Sequence, residues 1–84
     1  MDEFAYYDVW ADAEHCLTAE ERTCAISNAM RLVGDRFSET VHIARSDRTT
    51  VRWQVPREVA HSFKAFINLV PGIICERRYS ARPQ

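Results

Sequence analysis

The chain has 84 residues, of which 46% are hydrophobic and 27% charged, with a net charge of −1. This length supports one core and therefore one domain, and the composition is that of a globular chain, not a disordered one. No apolar run approaches the roughly 18 residues of a membrane span, and no secretion signal opens the chain, so we expect a cytoplasmic protein with no membrane partner.

The small net charge hides an uneven distribution. Residues 1–21 carry seven acidic residues and no lysine or arginine, whereas residues 22–84 carry five acidic and all eleven basic residues, which gives −7 and +6. This asymmetry predicts one of two things. Either the charges form a surface field that recruits a charged partner, or the two segments neutralise each other across the fold.

The first predicted element is a strand with the sequence FAYYDVWA, residues 4–11, because aromatic residues and valine favour strands. It holds four of the nine aromatic residues of the chain.

A helix is predicted next, over residues 19–33. Thr18 and Glu21 form a capping box at its start, and Gly34 is expected to end it in a left-handed conformation. Apolar residues recur between them at helical spacing, at Ile26, Ala29, Met30 and Val33.

Residues 41–55 alternate between apolar and polar side chains, which predicts a hairpin of two half-buried strands. Both apolar sets must face the same side, so the numbers of paired residues should differ by an even amount. We therefore expect Ile43 to pair with Trp53 and Arg45 with Val51, with a loop of Asp47, Arg48 and Thr49. The opposite side would display His42, Ala44, Thr50, Arg52 and Gln54.

The last two predicted elements are a helix and a strand. Pro56 suits the first turn of the helix, and Pro71 with Gly72 should stop it. Its apolar stripe comprises Val59, Phe63, Phe66, Ile67 and Val70. The segment GIICERRYS after it predicts a short final strand.

The order of strand, helix, strand, strand, helix, strand predicts an α+β fold of the ferredoxin-like βαββαβ type. Its four-stranded antiparallel sheet, in the order 4-1-3-2, has two helices on one face. The alternative is a helical pair on a lone hairpin with irregular termini.

The first strand is central in this fold, with one face under the helices and the other open. We assign Ala5, Tyr7 and Val9 to the helix side because Asp8, on the opposite side, would be costly to bury without a partner. The sheet face away from the helices, called the open face below, would then carry Phe4, Tyr6, Trp10, His42, Arg52, Gln54 and Arg78.

Three uses of this face remain open. Tyrosine, tryptophan and arginine dominate protein interfaces, so a homodimer or a contact with another protein fits. An RNA-recognition motif shares the topology and stacks bases on its sheet, but TTVRWQV lacks the expected glycine and aromatic pattern, and Asp8 would repel phosphates. Alternatively, the C-terminal segment YSARPQ folds back and covers the rings.

The segment ADAEHCLTAEE, residues 11–21, does not favour an enzyme. It has no glycine-rich, arginine-bearing loop of the acylphosphatase type. His15 and Cys16 are adjacent and lack the spacing of metal ligands, so no metal or cofactor is predicted.

Cys16, Cys24 and Cys75 are an odd number without paired spacing, and we expect buried free thiols in a reducing compartment. Core packing of Cys24 and Cys75 argues against a Cys–His catalytic dyad.

The acidic segment suggests one more specific function. Carboxylates at one end of a small rigid domain can imitate the phosphates of nucleic acid. Phage-encoded inhibitors of host defence nucleases, including anti-CRISPR proteins, often act by such mimicry or by plugging an interface. The candidate residues for such a contact are Asp12, Glu14, Glu20 and Glu21.

Overall fold

Four strands and two helices follow one another in the predicted order in a computed structural model that describes residues 3–47 and 49–78. The elements are β1 (Phe4–Ala11), α1 (Ala19–Phe37), β2 (His42–Ser46), β3 (Thr50–Pro56), α2 (Arg57–Ile67) and β4 (Ile73–Arg78). All neighbouring strands are antiparallel, in the order β2-β3-β1-β4. This confirms the ferredoxin-like prediction and places β1 and β3 at the centre of the sheet. Within the described ranges, neither helix has the length and apolar character that crossing a membrane requires.

The core lies between the helices and one face of the two central strands. Alternate residues of β1 and β3 are buried there, namely Ala5, Tyr7, Val9, Val51, Trp53 and Val55. Phe63 of α2 is fully buried and packs its ring against Tyr7 at 5.2 Å and Trp53 at 5.7 Å between centroids. The period of two therefore assigns the sides of both strands correctly.

Helix α1 begins as predicted but ends four residues later. The Thr18 hydroxyl accepts a hydrogen bond from the Glu21 amide at 3.0 Å, and the Glu21 carboxylate accepts one from the Thr18 amide at 3.0 Å. The prediction that Gly34 ends the helix is wrong, because Gly34 lies inside it. The extra turn carries the ring of Phe37 to 5.8 Å from Phe63 and contributes to the core.

Helix α2 is shorter than predicted at both ends. Pro56 is the last residue of β3 and the N-cap of the helix, one position before its first turn. The helix ends at Ile67, so Val70 lies beyond it but is still buried. Gly72 has a φ of +76°, and its carbonyl accepts the Asp12 amide at 2.8 Å, which ties the connection before β4 to the end of β1.

The register of the β2–β3 hairpin differs from the prediction at one position. Ile43 pairs with Trp53 as expected, but Arg45 pairs with Arg52 instead of Val51, and the register shifts between Ile43 and Arg45. The cause is a tighter turn, in which the Asp47 amide donates to the Thr50 carbonyl at 3.0 Å. A one-residue bulge then restores the even register.

This bulge puts Arg45 on the open face in the position predicted for Ala44. The turn is held by the Asp47 carboxylate, whose pKa is lowered because it accepts the amides of Thr49 and Thr50. Arg48, the middle residue of the predicted loop, lies outside the described residues.

The two glycines provide a matched test of this fold. A Cβ at Gly72 would lie 3.0 Å from the Cys16 sulfur on a left-handed backbone, whereas a Cβ at Gly34 would meet nothing within 4 Å. We expect Gly72→Ala to lower the free energy of unfolding by about 1 to 3 kcal/mol. Gly34→Ala should raise it by about 0.5 to 1 kcal/mol, because alanine is the better helix former.

Urea unfolding of the two variants measures both effects. Destabilisation by Gly34→Ala would contradict the helical assignment of that residue.

Candidate functional site

The open face of the sheet displays side chains in cross-strand rows set by the strand register. From β2 across to β4, the rows are His42, Gln54, Tyr6 and Arg78; then Arg45, Arg52, Asp8 and Glu76; then Thr50, Trp10 and Ile74. Phe4 lies at the far end beside Pro56. The structure therefore brings together the seven residues predicted for the open face, and Thr50 with them, but Arg45 takes the position predicted for Ala44.

Asp8 lies at the centre of the face and is only 9% exposed. The Arg52 guanidinium donates two hydrogen bonds to the Asp8 carboxylate, from Nε to Oδ1 at 2.7 Å and from Nη2 to Oδ2 at 3.3 Å. Arg78 approaches from the other side, with Nε 3.5 Å from Oδ2. The pKa of Arg52 is raised, chiefly by its hydrogen bond to Asp8. Two arginines thus supply the partner that a buried carboxylate requires.

The aromatic side chains of the face are half-buried and lie on both sides of this charged centre. Tyr6 and Trp10 each stand two residues from Asp8 along β1, and Phe4 lies beyond Tyr6. The rings therefore form no continuous apolar patch, because the row through Asp8 separates Tyr6 from Trp10.

Sequence reasoning missed two charged residues of the face. Arg45 was missed because the hairpin bulge could not be foreseen. Glu76, which lies opposite Asp8, could have been found, since pairing the last strand antiparallel with the first already places alternate residues of β4 on this face.

The predicted acidic residues lie outside the open face, on the loop and helical turn that follow β1. The Asp12 carboxylate accepts the Glu14 amide at 2.9 Å, and that of Glu21 accepts the Leu17 and Thr18 amides. Glu14 and Glu20 are exposed. In the described part of the chain, Asp8 is the one member of the acidic segment that forms an ion pair with the basic segment.

A groove of about 680 Å³ extends from the charged row past Trp10 to the first turns of α1. Its lining includes two carboxylates, of Asp8 and Glu76, and two guanidiniums, of Arg22 and Arg78. This balanced charge favours neither an anionic nor a cationic ligand.

The three cysteines are free, but their burial differs from the prediction. Cys16 is buried, Cys75 is half-buried and Cys24 is exposed, so the expectation that all three are buried is wrong. Cys24 precedes the buried Ile26 by two residues, which on a helix places the two on opposite sides. Burial raises the pKa of Cys75 to about 11, partly opposed by the nearby charge of Lys64. No three histidine, cysteine or acidic residues among those described could hold a metal ion together.

Comparisons with protein-family models, with curated proteins and with solved structures each find no match to this chain.

The pairing of Asp8 can be measured by double-mutant cycles. We expect the Asp8–Arg52 coupling energy to be about 1 to 2 kcal/mol, because the hydrogen bonds are bidentate and charge-assisted. The Asp8–Arg78 coupling should stay below about 0.5 kcal/mol, because the Arg78 side chain is 58% exposed. Urea unfolding of the single and double alanine variants gives both values. Equal couplings would contradict the central role of Arg52.

Thiol reactivity tests the different burial of the cysteines. With an aromatic disulfide reagent at pH 8, we expect one fast-reacting thiol per folded chain, that of Cys24, because thiolate character and access control the rate. Cys24→Ser should remove the fast phase and Cys75→Ser should leave it unchanged. A fast phase that survives Cys24→Ser would show that another cysteine is accessible.

Proposed function

We propose that this chain is a non-enzymatic module that binds a protein partner through the open face of its sheet. The observation that carries the proposal is the placement of Tyr6 and Trp10 around the Asp8–Arg52 pair. Tyrosine, tryptophan and arginine are the residue types that contribute most to protein interfaces, since each buries a large area and can also donate a hydrogen bond.

The ion pair also prepares the face for binding. Arg52 is held by its two hydrogen bonds to Asp8, and its side chain is only 29% exposed. An arginine that is already ordered loses less conformational entropy when a partner covers it. Part of the conformational entropy of the Arg52 side chain is therefore already lost on folding, and less remains to be lost on binding.

Both edges of the sheet are poorly suited to a partner, which favours the face as the contact. At the β4 edge, the Lys64 ammonium donates to the Cys75 carbonyl at 2.8 Å, so an added strand would have to compete with it. The β2 edge is five residues long and is interrupted by the bulge before Arg45. Short strands, lysines and bulges are common ways of preventing strand addition.

Carboxylates on the face make nucleic acid a less suitable ligand than protein. Asp8 and Glu76 lie in the row between Tyr6 and Trp10, where stacked bases would bring phosphates close to them. RNA binding of the recognition-motif type is the competing hypothesis, and these carboxylates make it the less favoured one.

The narrower form of the proposal is inhibition of a host defence nuclease by mimicry of nucleic acid, as in anti-CRISPR proteins. The exposed carboxylates of Glu14 and Glu20 support it. Asp12 and Glu21 support it less, because their carboxylates hold the backbone of their own loop. We therefore place the main contact on the open face.

Three free thiols support a cytoplasmic location, because oxidising compartments favour disulfides.

Site-specific photocrosslinking in the native host tests the proposal and requires no candidate partner. A benzophenone amino acid replaces Trp10 on the open face, and in a matched control it replaces Ala65, an exposed residue of α2. We expect protein adducts from position 10 and few or none from position 65. Adducts with a second copy or with another protein both support the proposed function.

Two results would contradict the proposal. One is an absence of protein adducts at position 10, and the other is adducts of equal yield at both positions. A gel shift with short RNA or DNA that weakens steeply with salt would instead favour the nucleic-acid hypothesis.

A further inference from the structure

We infer that the partner on the open face is a second copy of this chain, an inference that rests on the binding function proposed above. It begins from the signs of the charges in the central row. Arg45 and Arg52 are positive and lie on β2 and β3, whereas Asp8 and Glu76 are negative and lie on β1 and β4. The central row is thus positive on one half and negative on the other, whereas Arg78 of β4 lies in the neighbouring row and pairs with Asp8.

A two-fold axis that runs parallel to the strands, between β1 and β3 and in the plane of contact, pairs these halves. It places β2 over β4 of the second copy and β3 over its β1. Arg45 then faces the partner's Glu76, and Arg52 faces the partner's Asp8. Each contact occurs twice, as in any symmetric dimer. Stacked sheets are roughly 10 Å apart, which long arginine and glutamate side chains can span.

The same axis also fits the shapes of the two faces. Each of the three open-face rings of β1 is placed over the side chain that neighbours it on β3, so that a large side chain meets a smaller or narrower one. The pairs are Phe4 over the partner's Pro56, Tyr6 over the partner's Gln54, and Trp10 over the partner's Thr50.

The other in-plane axis, across the strands through Asp8, is excluded by charge. It would place Asp8 over the partner's Asp8 and Arg52 over the partner's Arg52, and like charges in close contact are repulsive. Of these two axes, the one along the strands brings opposite charges together at every position of the central row.

The outer charges of this row have no ion pair of their own within residues 3–47 and 49–78, since neither Arg45 nor Glu76 takes part in one there. They lie on opposite edges of the sheet, separated by two strands, a distance of roughly 14 Å. Arg45 and Glu76 therefore cannot reach each other within one chain. An energetic coupling between these two residues would show that they interact across a dimer.

The small size of the face limits the strength of the dimer. Four strands cover roughly 19 Å by 22 Å, about 400 Å² per copy, where a standard interface buries about 800 Å² per partner. We therefore expect a weak dimer with a Kd on the order of 100 µM. Because part of the attraction is ionic, added salt should weaken it.

Charge reversal combined with sedimentation velocity tests the inference. Arg45→Glu and Glu76→Arg each turn two attractive contacts into two repulsive ones, so each variant alone should raise the dimer Kd by about tenfold or more. An equimolar mixture of the two variants should dimerise again, because Glu at position 45 of one chain then faces Arg at position 76 of the other. The second contact between these positions, Glu76 of the first chain with Arg45 of the other, is attractive as well.

Matched controls reverse charges away from the face. Arg57→Glu and Glu39→Arg change exposed residues outside the open face and should leave the Kd unchanged. If a reversal on the face unfolds the chain, Arg45→Gln and Glu76→Gln replace it, and each should weaken the dimer by about threefold.

The inference is overturned if the wild-type chain stays monomeric at several hundred micromolar, or if the mixture of reversed variants fails to recover dimer. Crosslinks from position 10 to another protein, with none to a second copy, would overturn it as well. That last result would leave the proposed binding function standing.

Discussion

The ion pair between Asp8 and Arg52 is the interaction on which the open face depends. A carboxylate in the central strand would be strongly unfavourable without a partner, and the pairing of β1 with β3 places an arginine directly opposite it. The pair fixes which side of β1 faces away from the helices, and so it also fixes where the rings of Tyr6 and Trp10 lie. One charged contact thereby links the register of the sheet to the chemistry of its surface.

The same pair explains how a sheet with three rings on one face could meet another protein without relying on a continuous apolar patch. In the central row, positive charge lies towards β2 and negative charge towards β4, so this row gives the face a direction. The bulge in β2 and the lysine at β4 make addition of a strand less favourable. These features together favour a partner on the face, and the sign of each charge selects its orientation.

Much of this arrangement could be predicted from the sequence, because a strand with one buried face must alternate with a period of two. That rule placed Tyr7 and Trp53 correctly in the core. It failed at the hairpin. The rule requires an even register only when neither strand carries a bulge, and the bulge in β2 places Arg45 on the face opposite to the one predicted. A different rule, that glycine ends a helix, failed at the end of α1, where the core contacts of Phe37 outweigh a helical-glycine penalty of about 1 kcal/mol at Gly34. The failure at the hairpin is a local effect of turn geometry, whereas the failure at Gly34 is a tertiary effect that overrides a local rule.

The most direct test of a face covered by a second copy is acrylamide quenching of tryptophan fluorescence as a function of protein concentration, at fixed ionic strength. Trp53 is 2% exposed and contributes little to quenching, so the quenchable emission reports Trp10 on the open face. We expect Trp10 to become less accessible as the concentration rises from a few micromolar to several hundred micromolar, and Arg45→Glu to abolish this change. Quenching that is independent of concentration in the wild-type chain would contradict a face covered by a second copy.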